Sequence, residues 1–244
     1  MLAPMTARRA LIIVGAGAAL AAALLPADEW AMRTIGPHGG LARHMGGDLV
    51  RELEFLQQFG AVTSMLIAGA VILLLDRARA RRVLDLALAL LLSGLACNAL
   101  KIALGRPRPR VVFHEHAMEG FSSAKRFAMG TKFPLPRQGE DASWTHLWAH
   151  SWEVWRGISS DLWSMPSSHS AAAACAAACL VRLYPRLFPL LLCLMVVVAV
   201  CRVLFGAHFP SDCALGMAIG WVIGAATMER GAVSRVASRK SDAL

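Results

Sequence analysis

Three residues with different chemistries, Arg202, His208 and Asp212, fall where one long apolar run ends and the next begins. Pro210 suits the first turn of a helix, which puts Asp212 just inside that helix and His208 just before it. A carboxylate about one turn from an imidazole can fix the ring tautomer and leave the other nitrogen free for attack. Arg202 adds a permanent cation for an anionic substrate. The same residues would also serve a plain boundary loop with an interfacial arginine and a helix-capping aspartate. Two further groups border apolar runs in the same way: Lys101 with Arg108-Pro109, and Pro166-Ser167-Ser168-His169.

The elements that must position these groups are membrane helices. Over 244 residues the chain is 57% hydrophobic and 17% charged, with a formal net charge of +9. That is too apolar for an ordinary soluble domain and fits a polytopic membrane protein. The positive charge then sets topology, meets anionic headgroups or binds a phosphorylated substrate. Nucleic acid is not expected as a partner, because no stacking platform lines a basic groove. The cysteines, Cys97, Cys175, Cys179, Cys193, Cys201 and Cys213, lie within or beside apolar runs and read as small buried hydrophobes.

The first apolar run, Ala10 to Leu25, is open to two readings, a signal peptide or a first span; several spans follow, which favours an uncleaved span. Asp48 to Gln58 reads as a short amphipathic helix. Residues 1–58 thus form an N-terminal unit and 59–244 the membrane core. Spans are predicted over Phe59–Leu75, Val83–Leu104, Ser168–Val181, Leu187–Leu204 and Phe209–Met228. The Ala-rich Ser168 run suits the inside of a bundle. Between Arg106 and Met165 lies a polar excursion in which Trp144, Trp148, Trp152 and Trp155 recur at helical spacing, so an amphipathic interfacial helix is predicted over Ala142–Gly157. His38 and His44 read as solvated, and His114, His116, His146 and His150 show no zinc-protease pattern. The expected fold is all-α, a polytopic membrane bundle of about six transmembrane helices with a long polar extracytoplasmic loop.

Six crossings put the basic clusters at Asp76–Arg82, Arg182 with Arg186, and Arg230, Arg235, Arg239 and Lys240 on the side opposite His208. The positive-inside rule then makes both termini cytoplasmic and the polar excursion external. All three polar groups share that outer face. Ser167 and Ser168 at a helix start offer an anion cradle, and Lys101, Arg108 and Arg202 offer three cations to a phosphate. His169 and His208 can divide the labour, one attacking phosphorus and one protonating the leaving oxygen. The lack of a clustered carboxylate set argues against a metal-dependent phosphatase, and no cofactor is expected. Taken singly, Lys101 and Arg108 could be snorkelling cations and His169 a packing residue.

Lys101 with six residues between it and Arg108-Pro109, Pro166-Ser167-Ser168-His169, and Arg202 with five residues between it and His208 and three more before Asp212 resemble the three-part motif of the type 2 phosphatidic acid phosphatase superfamily. The resemblance covers about Val83 to Met228. It implies His208 as the nucleophile forming a phosphohistidine, Asp212 as its orienting partner, and His169 as general acid and then base. Lys101, Arg108, Arg202, Ser167 and the backbone of Ser168 would hold the phosphate, with no metal. Two positions depart from the pattern: Ser168 stands where glycine is usual, and Cys201 where serine is usual. Neither removes a catalytic group. The implied protein is an inner-membrane, multi-pass, metal-independent phosphatase with its site on the extracytoplasmic side. Its substrate would be phosphatidic acid, phosphatidylglycerol phosphate, a polyprenyl diphosphate or a lipid A phosphate. A lipid phosphotransferase with the same site, or a non-catalytic phospholipid-binding protein, are the other readings; nothing in the sequence specifies the oligomeric state.

Overall fold

A computed structural model describes residues 4–36, 41, 44–113, 129–138, 143–158 and 160–231. His38, His114, His116, Arg235, Arg239 and Lys240 lie outside the described residues. The chain opens with α1 (Ala7–Leu24), whose first turn is capped by the Thr6 side chain accepting from the Arg9 N–H. A short 3-10 turn at Leu25–Ala27 leads straight into α2 (Asp28–Thr34), so the first helix runs on past the Leu25 expected as its end. Next come α3 (Gly47–Leu56) and α4 (Val62–Leu75), joined through a 3-10 turn at Gln57–Gly60. The basic turn is capped by Asp76, and α5 (Arg82–Leu104) follows, its Asp85 buried against Arg82 at 2.9 Å. The one-turn α6 (Pro109–Val112) precedes strands β1 (Phe133–Gln138) and β2 (Trp144–Ala149). The chain closes with α7 (Ser168–Leu183), α8 (Phe188–Leu204) and α9 (Pro210–Arg230).

Four helical stretches, Ala7–Thr34, Arg82–Val112, Pro185–Leu204 and Pro210–Arg230, are long and apolar enough to cross a bilayer. The pair Gly47–Gly60 and Val62–Leu75, bent by 64°, makes a fifth if it is one span. The apolar α7 is shorter, at 16 residues, and the expected six is reached by counting both. Large apolar side chains such as Leu66, Leu74, Leu91 and Leu190 face outward, as lipid contact requires.

The centre of the bundle is α7, buried along nearly its whole length and packed on α9, α8 and α5. Its alanines let neighbouring backbones come close. The approach is closest on α9, where a Cβ at Gly220 would stand 1.9 Å from the Ala171 carbonyl oxygen and one at Gly216 2.5 Å from that of Ser167. No residue larger than glycine fits those positions with the helices at this separation. This crossing fixes the start of α7 against the start of α9.

The predicted interfacial helix over Ala142–Gly157 is not formed. Trp144–Ala149 is a strand, paired antiparallel with Phe133–Gln138 in the register Phe133↔Ala149 and Leu135↔Leu147. Phe133, Leu135 and Ala149 point into a core with Val112, Ile158, Leu162 and Phe209, while Trp144 and Trp148 are exposed. A spacing of four places residues on one face of a helix and equally on one face of a strand. Burial of the alternate positions decided between them. Pro134 and Pro136 are tolerated because β1 has a single neighbour among the described residues.

Candidate active site

The turn after α8 folds back on itself: the N–H groups of Ala207 and His208 both donate to the Arg202 carbonyl, each at 3.1 Å. Phe209 then caps α9, its N–H donating to Asp212 Oδ2 at 2.9 Å, so the carboxylate three residues into the helix is held by its own cap. Asp212 Oδ2 lies 3.6 Å from His208 Nδ1, and both side chains are buried. That separation is ion-pair range and slightly long for a formed hydrogen bond, and Nδ1 has no other partner among the described residues. The Ser164 hydroxyl donates to the same carboxylate oxygen. With Nδ1 turned to Asp212, Nε2 is the nitrogen on the far side of the ring. Burial in apolar surroundings pushes the His208 imidazole down to about 3, with Arg108 and Arg202 acting in the same direction and Asp212 opposing. His208 is therefore neutral near pH 7.

The second group sits at the start of α7. Ser167 is its N-cap, with Oγ accepting from the Ser170 N–H at 3.4 Å and from the Ser170 hydroxyl at 3.0 Å. The Ser167 N–H donates to the Asp212 carbonyl at 3.0 Å, which ties this helix start to that of α9. Ser168 turns its hydroxyl to Lys101 Nζ at 2.6 Å, and His169 is half-buried beside it. Ser168 thus uses its side chain to hold the lysine.

The first group is shaped by the end of α5. Gly105 terminates the helix in the left-handed conformation at φ +55°, and a Cβ there would stand 2.6 Å from Ser151 Oγ. Ser151 in turn donates to the Ile102 carbonyl at 2.6 Å. Arg108 is clamped by the loop before α7: its Nε donates to the Ser160 carbonyl at 2.9 Å and its N–H to the Asp161 carbonyl at 2.8 Å. Its Nη1 reaches the Ala207 carbonyl at 3.3 Å, next to His208. Arg202 Nη1 donates to Gln57 Oε1 at 3.2 Å.

All eight residues singled out from the sequence therefore come into one neighbourhood. Arg108 and Arg202 act electrostatically on both imidazoles, His169 and His208, and Lys101 acts on His169. Among the described residues, Lys101, Arg108 and Arg202 are paired with no carboxylate: their partners are a hydroxyl, two carbonyls and an amide oxygen. Three buried or half-buried cations with no directly bonded carboxylate among the described residues leave positive charge that an anion can offset. Arg79, Arg82 and Arg182 all have carboxylates instead. Among the described residues no group of three His, Cys, Asp or Glu is arranged to hold a metal ion.

Four groups escaped the sequence reading: Asp28, Arg106, Ser164 and Ser211. Arg106 is fully buried and bridges Asp28 and Asp212, at 2.6 Å to each. It stands between Lys101 and Arg108 at a position the spacing pattern leaves blank, and Asp28 lies far from it in sequence. The only hint was an arginine within an apolar-flanked GRPRP stretch. The cysteines are free, and all are buried except Cys193, which is exposed on α8.

An apolar cavity of about 640 Å³ opens between α4, α5 and α7. Its walls include Met65, Leu66, Leu86, Ala87 and Leu90, and Ser168 and His169 lie at its edge. It therefore joins a hydrocarbon-lined space to the cationic neighbourhood.

No curated protein matches the chain. Two solved structures share its fold: the crystal structure of Aquifex aeolicus LpxE, at 19% identity and TM-score 0.50, covers 77% of this chain and 90% of its own. The crystal structure of the first transmembrane PAP2 type phosphatidylglycerolphosphate phosphatase from Bacillus subtilis, also at 19% identity, has TM-score 0.55 and covers 95% of this chain and 96% of its own. A sequence profile of the PAP2 superfamily matches residues 82–232, from the start of α5 past the end of α9 and through all three polar groups. The chain belongs to the PAP2 superfamily.

Proposed function

We propose that this protein is an integral-membrane, metal-independent phosphatase that hydrolyses a lipid phosphate monoester or diphosphate through a phosphohistidine at His208. The observation that carries the reading is the trio Lys101, Arg108 and Arg202, three cations with no carboxylate partner among the described residues, around two imidazoles. Their charge would sit against the non-bridging oxygens of a bound phosphate and stabilise the charge that builds there in the transition state. Ser167 and the N–H groups opening α7 would complete the cradle.

In the first step the lone pair of His208 Nε2 forms a bond to phosphorus. The bond from phosphorus to the ester oxygen breaks, its electron pair leaves on that oxygen, and protonated His169 supplies the proton. Asp212 holds Nδ1–H and balances the positive ring. In the second step neutral His169 takes a proton from water as the water oxygen bonds to phosphorus. The N–P bond breaks, inorganic phosphate leaves and His208 is restored. The apolar cavity ending at His169 supports a substrate with a hydrocarbon tail. The distribution of arginines supports a site on the extracytoplasmic side of the inner membrane. Phosphatidylglycerol phosphate, phosphatidic acid, polyprenyl diphosphate and lipid A phosphate are the substrates to try.

The test is phosphate release from that panel by the full chain in detergent with EDTA present, together with a search for a phosphoryl-enzyme after an alkaline denaturing quench. The reading expects release from at least one lipid, a protein-bound phosphate that is acid-labile and alkali-stable, and neither in His208→Ala. Turnover undiminished in that variant rules the mechanism out. Transfer of the phosphoryl group to an added lipid alcohol in preference to water would make the protein a phosphotransferase.

A further inference from the structure

Five side chains, reaching His208 through Asp212, form one buried polar chain. Asp28, Arg106, Ser164, Ser211 and Asp212 are all inaccessible to solvent, and every link is a close contact. Arg106 Nη1 donates to Ser211 Oγ and to Asp212 Oδ1, each at 2.6 Å, and Nη2 donates to Asp28 Oδ2 at 2.6 Å. The Ser211 hydroxyl donates onward to Asp28 Oδ2, and its N–H reaches Asp28 Oδ1 at 3.1 Å. The guanidinium lies 4.2 Å from the ring centroid of Phe209, the residue between His208 and Pro210. One cation stands between two carboxylates, whose formal charges with both ionised exceed it by one.

We infer that Asp28 and Arg106 are positioning residues for His208, acting through Asp212, and that the N-terminal helical segment thereby completes the reacting site. The inference rests on His208 being the reacting imidazole. Arg106 grips Oδ1 of Asp212, leaving Oδ2 to face His208 Nδ1. A guanidinium alone beside Asp212 would neutralise it and weaken its hold on a positively charged phosphohistidine ring. Asp28 offsets that cation and leaves Asp212 able to serve the ring. Asp28 belongs to α2, outside the residues 82–232 matched by the superfamily profile. A residue N-terminal to the profile match therefore tunes a site whose catalytic groups all lie within that match.

A purely structural role is the rival: Asp28 would be a latch holding α1 and α2 on the bundle. The two separate in the full chain, labelled with ¹⁵N-histidine in detergent, by comparing Asp28→Asn, Arg106→Lys and Ser211→Ala with the parent. Steady-state kinetics on the best lipid phosphate, melting temperature and the ring-nitrogen shifts of His208 are read for each. Positioning predicts that Asp28→Asn lowers kcat by about 10–100-fold with KM within twofold, on the scale of disturbing a residue that orients a catalytic histidine. The His208 ring should also lose its single Nδ1–H tautomer. Ser211→Ala keeps every charge and removes one hydroxyl, so it should fold and show a smaller loss of about 3–10-fold in kcat. A lower melting temperature with kcat per folded molecule and tautomer unchanged in both variants overturns the inference in favour of the latch. If the parent hydrolyses no lipid phosphate, the phosphatase reading fails, while the tautomer comparison still decides whether Asp28 and Arg106 hold the ring.

Discussion

His208 is held in a tight turn by two backbone N–H groups converging on the Arg202 carbonyl, so a cation and an imidazole are placed by one hydrogen-bonded loop. Replacing His208 by Ala should reduce phosphate release by on the order of 10⁴-fold or more, since both steps of the proposed mechanism need it. Asp212→Asn should cost a comparable factor, measured as kcat on the same substrate, because an amide can hold the wrong ring tautomer. Burial also gives a stability prediction. An unfolded histidine titrates near about 6.5, whereas folded His208 stays neutral down to about 3. Between those values the unfolded chain binds a proton that the folded chain does not, so stability falls as pH falls. The slope is up to about 1.4 kcal/mol per pH unit. The drop in melting temperature from pH 7 to pH 5 should be smaller in His208→Gln than in the parent; an equal drop removes His208 as its source.

At the level of elements, the crossing of α7 and α9 sets the geometry. The Ser167 N–H bonds to the Asp212 carbonyl across the two helix starts, and glycines a turn apart let the backbones meet. Gly220→Ala should destabilise the protein by about 2 kcal/mol or more, because its Cβ would meet backbone, which cannot rotate away. Gly15→Ala in α1, where nothing lies within 4 Å, should be neutral or mildly stabilising, and thermal melts of the two variants check the contrast. The hairpin of β1 and β2 covers the Val112, Ile158 and Phe209 core next to the site. It packs as a lid of two strands where an interfacial helix was expected.

For the whole molecule, the bundle joins a hydrocarbon-lined cavity to three cations. Filling it with Ala87→Trp should lower kcat/KM for a long-chain lipid phosphate at least tenfold while sparing a short-chain analogue, since the lost volume serves the tail alone. Equal losses on both substrates would mean that the cavity does not hold the tail. Reporter fusions in the Asp76–Arg82 turn and in the 106–165 excursion should report opposite faces, cytoplasmic and external.

Sequence alone determined the membrane class and the bounds of most spans, and it singled out eight residues that the fold brings into one neighbourhood. Apolar run length and the spacing of charged residues at the ends of those runs are local properties, and these carry the signal. The tertiary structure decided what depends on contacts between distant segments. The Trp144–Trp148 spacing was compatible with helix or strand until Phe133 and Leu135 supplied a partner and a core. Ser168 came to bind Lys101 only because α7 packs on α5. Asp28 and Arg106, 78 positions apart, acquired a role only where the N-terminal helix closes on the start of α9, since a buried charge declares its partner through proximity in space.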